Sequence, residues 1–269
     1  MSLSQPSGNA LYNRIGIGYD NTRRADPYIA GRLASLLRPD HGGRYLDVAC
    51  GTGNYSAALC NLSGASWFGC DQSLQMLRAA FEKDAGVSWS AANVEHLPFA
   101  SGTFSGAICT NALHHFSDLA RVLTDLRRLL TTGARCVVFS ATREQMQRYW
   151  LNEYFPDAMA RSAATMPTEA ALLRAANEAG IVLRSREPYH IQPDLLDHFL
   201  YSGKHDPARY LDRSVRAAIS TFAAHAAQDE VARGCQRLAM DIHSGRFDDI
   251  AMTYQNSGGD YAFWAFEAP

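Results

Sequence analysis

The chain has 269 residues, 47% of them hydrophobic and 19% charged, with 12 Tyr, 12 Phe and 4 Trp. That length suits one enlarged domain or a core domain carrying a cap, and the composition excludes a mainly disordered chain. Twenty-five Lys and Arg against 27 Asp and Glu leave a net charge of -2, so no broad basic field draws in a phosphate backbone, and a dedicated nucleic-acid binder is disfavoured.

The opening residues Met1 to Gly8 lack a basic cluster followed by an apolar core, so no secretory signal is expected. No apolar run approaches the roughly 20 residues that span a bilayer, and a cytoplasmic location follows as the expectation. The first 40 residues are polar and aromatic, with Tyr12, Tyr19 and Tyr28 around Asp20-Asn-Thr-Arg-Arg24, and a helix is predicted from about Pro27 to Leu37. Tyr45 to Cys50 reads as a short apolar strand that runs into Gly51-Thr-Gly53, and Tyr55 to Leu62 as the helix after it. The rhythm repeats: strands at 66–70, 87–91, 104–110 and 136–140, helices at 74–81 and 119–130. Connections too long for hairpins argue for a parallel sheet with helices on both faces, a doubly wound α/β core.

Beyond residue 140 the pattern changes. A helix is expected over 144–154, a second over 168–178 capped by Thr168, and a strand over 181–191. From Pro193 to about His243 the reading is almost wholly helical, and Asp260 to Phe266 closes the sheet as an aromatic strand. The predicted organisation is therefore an N-terminal arm and helix (1–40), a core (41–192 and 251–269) and a helical cap insertion (193–250). Six cysteines are scattered without a C-x-x-C pair, which reads as reduced core residues, and no metal site is expected.

The most informative segment is Leu46-Asp-Val-Ala-Cys-Gly-Thr-Gly53. Glycines at the carboxyl end of a first parallel strand allow a sharp turn and a close ligand approach near a helix N-terminus. Asp71, at the end of the second strand and 24 positions beyond Asp47, stands where a carboxylate accepts hydrogen bonds from a ribose diol. An adenosine-containing ligand is predicted. Ser56 replaces the third glycine of a dinucleotide fingerprint, and Asp47 repels a pyrophosphate while favouring a cation, which opposes a nicotinamide-dependent oxidoreductase.

Asp47 to Gly53, Asp71 and Asn93-Val-Glu-His-Leu-Pro-Phe resemble the ordered motifs of class I S-adenosylmethionine-dependent methyltransferases, closest to the bacterial small-molecule branch (methyltransferase type 11) that includes ubiquinone and menaquinone C-methyltransferases. The resemblance covers residues 40–141 and implies a seven-stranded Rossmann-like sheet of order 3-2-1-4-5-7-6. It implies that Asp47 and the backbone of Ala49, Gly51 and Gly53 surround the methionine portion of the cofactor and that Asp71 holds the ribose. It further implies that Gln72 and Met76 flank the adenine, that Asn93 and Val94 meet its polar edge, and that Asn111 lies near the methionine end. Ala49 and Asn93 depart from the family's usual glycine and acid. Tyr19 and Arg23 resemble a segment that closes over the cofactor, where an arginine fork suits the methionine carboxylate.

His114 and His115 follow the fourth strand, where the transferred methyl should emerge; they read either as a general base or as packing that shapes the acceptor. The aromatic, polar segments around 149–156 and 197–205 read either as pocket lining or as core between cap helices. The expected activity is methyl transfer from S-adenosylmethionine to a small-molecule acceptor, with the insertion and the arm forming a lid. The alternative is a non-catalytic S-adenosylmethionine-binding partner subunit. The acceptor, the methylated element and the oligomeric state are not legible.

Overall fold

The structure, a computed structural model, describes residues 19–269; residues 1–18, the first part of the predicted arm, lie outside the described residues. Seven strands form one sheet: β1 (Arg44–Val48), β2 (Ser66–Asp71), β3 (Val87–Ala91), β4 (Phe104–Thr110), β5 (Leu130–Ser140), β6 (Val182–Tyr189) and β7 (Tyr261–Glu267). Their order is β3-β2-β1-β4-β5-β7-β6, as the resemblance implied. Strands β1 to β5 pair in parallel, while β7 runs antiparallel to both β5 and β6.

Successive side chains of a strand point to opposite faces, and the alternation divides the core in two. Tyr45, Trp67, Ile108, Val137 and Phe139 pack on one face. Leu46, Val48, Ala107, Cys109 and Val138 pack on the other. On the first face lie α1 (Pro27–Leu37) and α2 (Asn54–Ser63). Helix α1 begins at Asp26, whose carboxylate accepts from the N–H groups of Tyr28 and Ile29, with Pro27 at the first helical position. Helix α3 (Leu74–Phe81) follows β2. The opposite face is covered by α4 (Leu119–Leu129), which buries Val122, Leu123, Leu126 and Leu129, the stripe its periodicity predicts.

Two local readings need correction. Residues 144–154 form two single turns, α5 (Arg143–Met146) and α6 (Leu151–Tyr154), and an unanticipated helix α7 (Pro156–Thr165) comes next. Asn152 Nδ2 donates to the carbonyls of Met146 and Tyr149, replacing the backbone donors that a continuous helix would supply. Pro156 then starts a new helix while turning the preceding Phe155 out of helical geometry. Helix α8 (Glu169–Glu178) matches its prediction, with the Thr168 hydroxyl accepting from the Ala171 N–H.

The segment from Pro193 is not wholly helical. Turns run to residue 206, followed by a 3-10 turn (Pro207–Leu211), α9 (Arg213–Ala217) and a π-helical turn (Thr221–His225). Continuous helix appears only in α10 (Gln228–Ser244) and α11 (Arg246–Thr253). Side chains take over the backbone's hydrogen bonds here: Tyr210 Oη accepts from the Gly203 N–H and donates to the Leu200 carbonyl, and Asp26 accepts from the Leu196 N–H.

The aromatic segments are divided between core and cavity. Tyr149 stacks on Tyr201 with ring centroids 4.0 Å apart, and Trp150 packs edge-on against Tyr210 and Phe247 at 5.4 and 4.9 Å. All five are buried, so these aromatics form the core under the insertion. Lys204 pairs with Asp260 at 2.7 Å and His205 meets the Ile191 carbonyl at 2.8 Å. These two polar side chains tie the insertion to the ends of β6 and β7.

Candidate active site

The carboxyl ends of β1, β2 and β4 open into a cavity of about 1700 Å³, its open mouth included. Of the residues singled out from sequence, Tyr19, Arg23, Ala49, Gly51, Asp71, Gln72, Met76, Asn93, Val94, Asn111, His114 and His115 all line this one cavity.

Asp47 and Gly53 do not line it. Asp47 is 1% exposed beneath the glycine turn, where it accepts from the Ser56 hydroxyl at 2.5 Å. Burial pushes its carboxyl up to about 7; the Ser56 bond works against that shift and the nearby charge of Asp71 adds to it. A carboxyl about half protonated near neutral pH is a weaker counter-ion than the fully ionised group expected from sequence. Since the folded value lies above the unfolded one, this group's contribution is fully present below about pH 4 and is lost as pH rises through 7. The stability advantage of Asp47→Asn over the wild type should therefore grow by about 2–4 kcal/mol between pH 4 and 8, read from urea unfolding. A pH-independent difference would contradict the assignment.

The glycines of the turn also divide. A Cβ on Gly51, at φ +56°, would meet nothing within 4 Å, whereas one on Gly53, at φ +72°, would lie 2.2 Å from the Trp89 ring. Only Gly51 faces open space; Gly53 is needed for packing. Gly53→Ala should lower stability by about 2–4 kcal/mol through strain and overlap. Gly51→Ala should cost only the backbone strain of about 1–2 kcal/mol, with its larger effect on ligand binding; a thermal melt and a titration of each separate the two.

Ala49 also lies in the left-handed region, at φ +58°, as does Asn111 at +52°. Backbone strain of this kind gathers at ligand sites. Asn111 ends β4 by donating its N–H to the Phe139 carbonyl, and its buried Nδ2 has no hydrogen-bond partner among the described residues. A buried unused donor and an open cradle above Gly51 are what a bound polar molecule would satisfy, and they fit the methionine end of the cofactor.

Asp71 ties the turn to α3: Oδ2 accepts from the Gly51 N–H at 2.9 Å and Oδ1 from the Ser73 N–H at 2.8 Å. Burial raises its pKa against these hydrogen bonds. Gln72 adds a third backbone hydrogen bond, and of the carboxylate's roughly four lone-pair sites one remains to receive a ribose hydroxyl. Asn93 Oδ1 already accepts from the Glu95 N–H at 3.0 Å, so it shapes the turn after β3 and retains one lone pair for a ligand.

The arm is held from both sides. Asp20, which sequence reasoning missed, accepts from Thr52 Oγ1 at 2.6 Å and Asn54 Nδ2 at 3.0 Å, and pairs with Lys83 at 2.8 Å. Arg23 lies over the Tyr19 ring at 4.9 Å and pairs through Nε and Nη2 with both oxygens of Asp197. Burial alone would lower the Arg23 pKa, and Asp197 more than reverses this. Tyr55 Oη also donates to Asp197 at 3.1 Å. The predicted partner of Arg23 was a ligand carboxylate; here an internal carboxylate already occupies one edge of its fork.

His114 and His115 lie on a 3-10 turn (Leu113–His115), ring centroids 3.8 Å apart. Burial lowers the pKa of both, the second to about 4, and for His114 the neighbouring His115 adds to the shift. Both are neutral near pH 7. The far end of the cavity is formed by Met146, Ser162, Met166, Phe199, Leu200, Ile219 and Thr221; Phe199 and Leu200 belong to the 197–205 segment read as possible pocket lining, and the other five were not marked. Among the described residues no helix is long and apolar enough to cross a membrane.

Comparison with known proteins agrees with this geometry. A family model described as a methyltransferase domain matches residues 46–138. A demethylmenaquinone methyltransferase of Corynebacterium kroppenstedtii is 33% identical over 136 residues, 48% of this chain but only 57% of that enzyme's length. A methyltransferase described as belonging to an antibiotic biosynthesis pathway of Anabaena variabilis superposes with a TM-score of 0.80 at 28% identity, covering 91% of this chain and 98% of that one. In the demethylmenaquinone methyltransferase of Thermobifida fusca the likeness runs over 200 residues at 31% identity, 64% of this chain and 84% of that enzyme. A likeness of that extent, on a sheet and a glycine turn of this form, makes the chain a member of the class I S-adenosylmethionine-dependent methyltransferases.

Proposed function

We propose that the protein transfers a methyl group from S-adenosylmethionine to a small-molecule acceptor by in-line displacement. The observation that carries this reading is the continuity of the cavity: the glycine turn, Asp71 and Asn93 wall one end, apolar side chains from beyond β5 wall the other, and Asn111 to His115 lie between. When bound, the cofactor supplies an electrophilic sulfonium methyl. The chain's own work is then placement. Asp71 receives a ribose hydroxyl, Gln72 and Met76 flank the base with Asn93 and Val94 at its edge, and Asn111 turns its free amide toward the methionine end.

Holding the acceptor in line inside a covered site is worth several orders of magnitude in rate. The arm at 19–26 and the insertion at 193–250 act as that cover. His114 and His115 shape the acceptor's approach as neutral groups. A base with a pKa of about 4 has little driving force for taking a proton near pH 7. Incubation with methyl-labelled cofactor and a metabolite extract, followed by mass spectrometry, tests the reading: a labelled product is expected. Tight binding of S-adenosylhomocysteine with no labelled product would point to the binding subunit instead.

A further inference from the structure

The acceptor end carries a feature that the cofactor does not use. Ser162 of α7 and Thr221 of the π-helical turn are buried, line the cavity, and join hydroxyl to hydroxyl at 2.8 Å. Two hydroxyls bring two protons and four lone pairs. One proton closes the bond between them; the other has no acceptor among the described residues, because neither side chain makes a further hydrogen bond there. Burying an unused donor is costly unless a ligand accepts from it. The turn that presents Thr221 is a π-helix, a form that recurs at functional sites.

Among the described residues the rest of that end is uncharged. Among the described residues four charged ones line the cavity, Arg23, Asp71, Glu95 and Asp197. Arg23 and Asp197 neutralise one another, Asp71 belongs to the glycine turn, and Glu95 accepts from Ser117 next to the turn after β3. Met146, Met166 and Ile219 line the same cavity, as does Ser220, a further hydroxyl-bearing residue next to Thr221 in the chain. An ionised carboxylate or ammonium entering there would lose its water without gaining a counter-ion among the described residues.

Resting on the methyl-transfer reading above, we infer that the acceptor site takes a neutral, largely apolar molecule bearing a hydroxyl or carbonyl group, and that the Ser162–Thr221 pair anchors this group. The pair is a specificity element: it orients the acceptor against the apolar side chains of Met146, Met166 and Ile219.

The test uses three probes of one shape, 1-naphthol, naphthalene and 1-naphthoate, titrated into the full chain saturated with S-adenosylhomocysteine. 1-Naphthol is expected to bind about tenfold more tightly than naphthalene and at least tenfold more tightly than 1-naphthoate. In Ser162→Ala/Thr221→Val, affinity for 1-naphthol should fall to that for naphthalene, while naphthalene and S-adenosylhomocysteine bind as before, the latter reporting that the variant is folded. Tightest binding of 1-naphthoate, a naphthol preference that survives the double substitution, or no binding of either neutral probe overturns the inference. The two readings fail separately. Labelled methyl transferred to a charged metabolite would sink this inference and leave methyl transfer standing; the expected probe pattern without any labelled product would do the reverse.

Discussion

Replacing Asp71 with alanine is expected to weaken binding of S-adenosylhomocysteine at least 100-fold. The carboxylate has three tasks: it accepts from the Gly51 and Ser73 N–H groups, and a remaining lone pair is assigned to the ribose. Losing a charge-assisted bond to the ligand costs about 1.5–3 kcal/mol, and leaving two backbone donors unpaired adds to that. Those donors set the shape of the glycine turn and the start of α3, so the site loses preorganisation along with a contact. Asp71→Asn keeps one carbonyl oxygen and should retain an intermediate affinity, about tenfold below the wild type. Calorimetry on the three proteins orders them. Equal affinity in the alanine variant would remove the ribose assignment.

Asp197→Ala is expected to lower stability by about 3–5 kcal/mol, since it leaves the buried Arg23 guanidinium without its counter-ion and Tyr55 without its acceptor. The Asp197 side chain is 2% exposed and that of Arg23 15%, so solvent screens the pair little. Removing both charges in Arg23→Met/Asp197→Leu should recover most of the loss, because a buried pair replaced by apolar groups is often neutral. The double variant should still bind S-adenosylhomocysteine poorly if the free edge of Arg23 receives the methionine carboxylate. Urea unfolding measures the first effect and titration the second. A loss below 1 kcal/mol in the single variant would show that the arm and the insertion are not joined through this pair.

The half of the molecule up to β5 was legible because its signals are local. An apolar run ending in Gly51-Thr-Gly53 and an acid at the end of the next strand sit within a few residues of what they specify. The regular helices α1, α3 and α4 announced themselves by apolar stripes. What the turn does with its neighbours was not legible, since spacing says nothing about which side of the backbone a residue falls on. Asp47 and Gly53 ended beneath the turn for that reason, held by Ser56 and Trp89. Beyond residue 190 the sequence favours helix, yet Tyr210 bonds back to the nearby Gly203 backbone, and Asp26 and Asp197 join this segment to residues far along the chain. The hydroxyl pair of Ser162 and Thr221 is of the same kind, built from two unremarkable positions that only the fold brings together.

Tyr189 and Tyr261 stand opposite one another where β6 meets β7, so everything from residue 190 to 260 is, topologically, the loop of a single hairpin. Lengthening a loop is cheap, about 0.6 kcal/mol for each doubling, and the ladder below it does not register what the loop contains. Residues from this loop complete the acceptor end, whereas the cofactor end is fixed by strands on the other side of the sheet. Met146, Ser162 and Met166 come instead from the stretch between β5 and β6, so a graft of residues 190–260 between relatives would exchange one wall of the proposed acceptor chamber and leave the other in place.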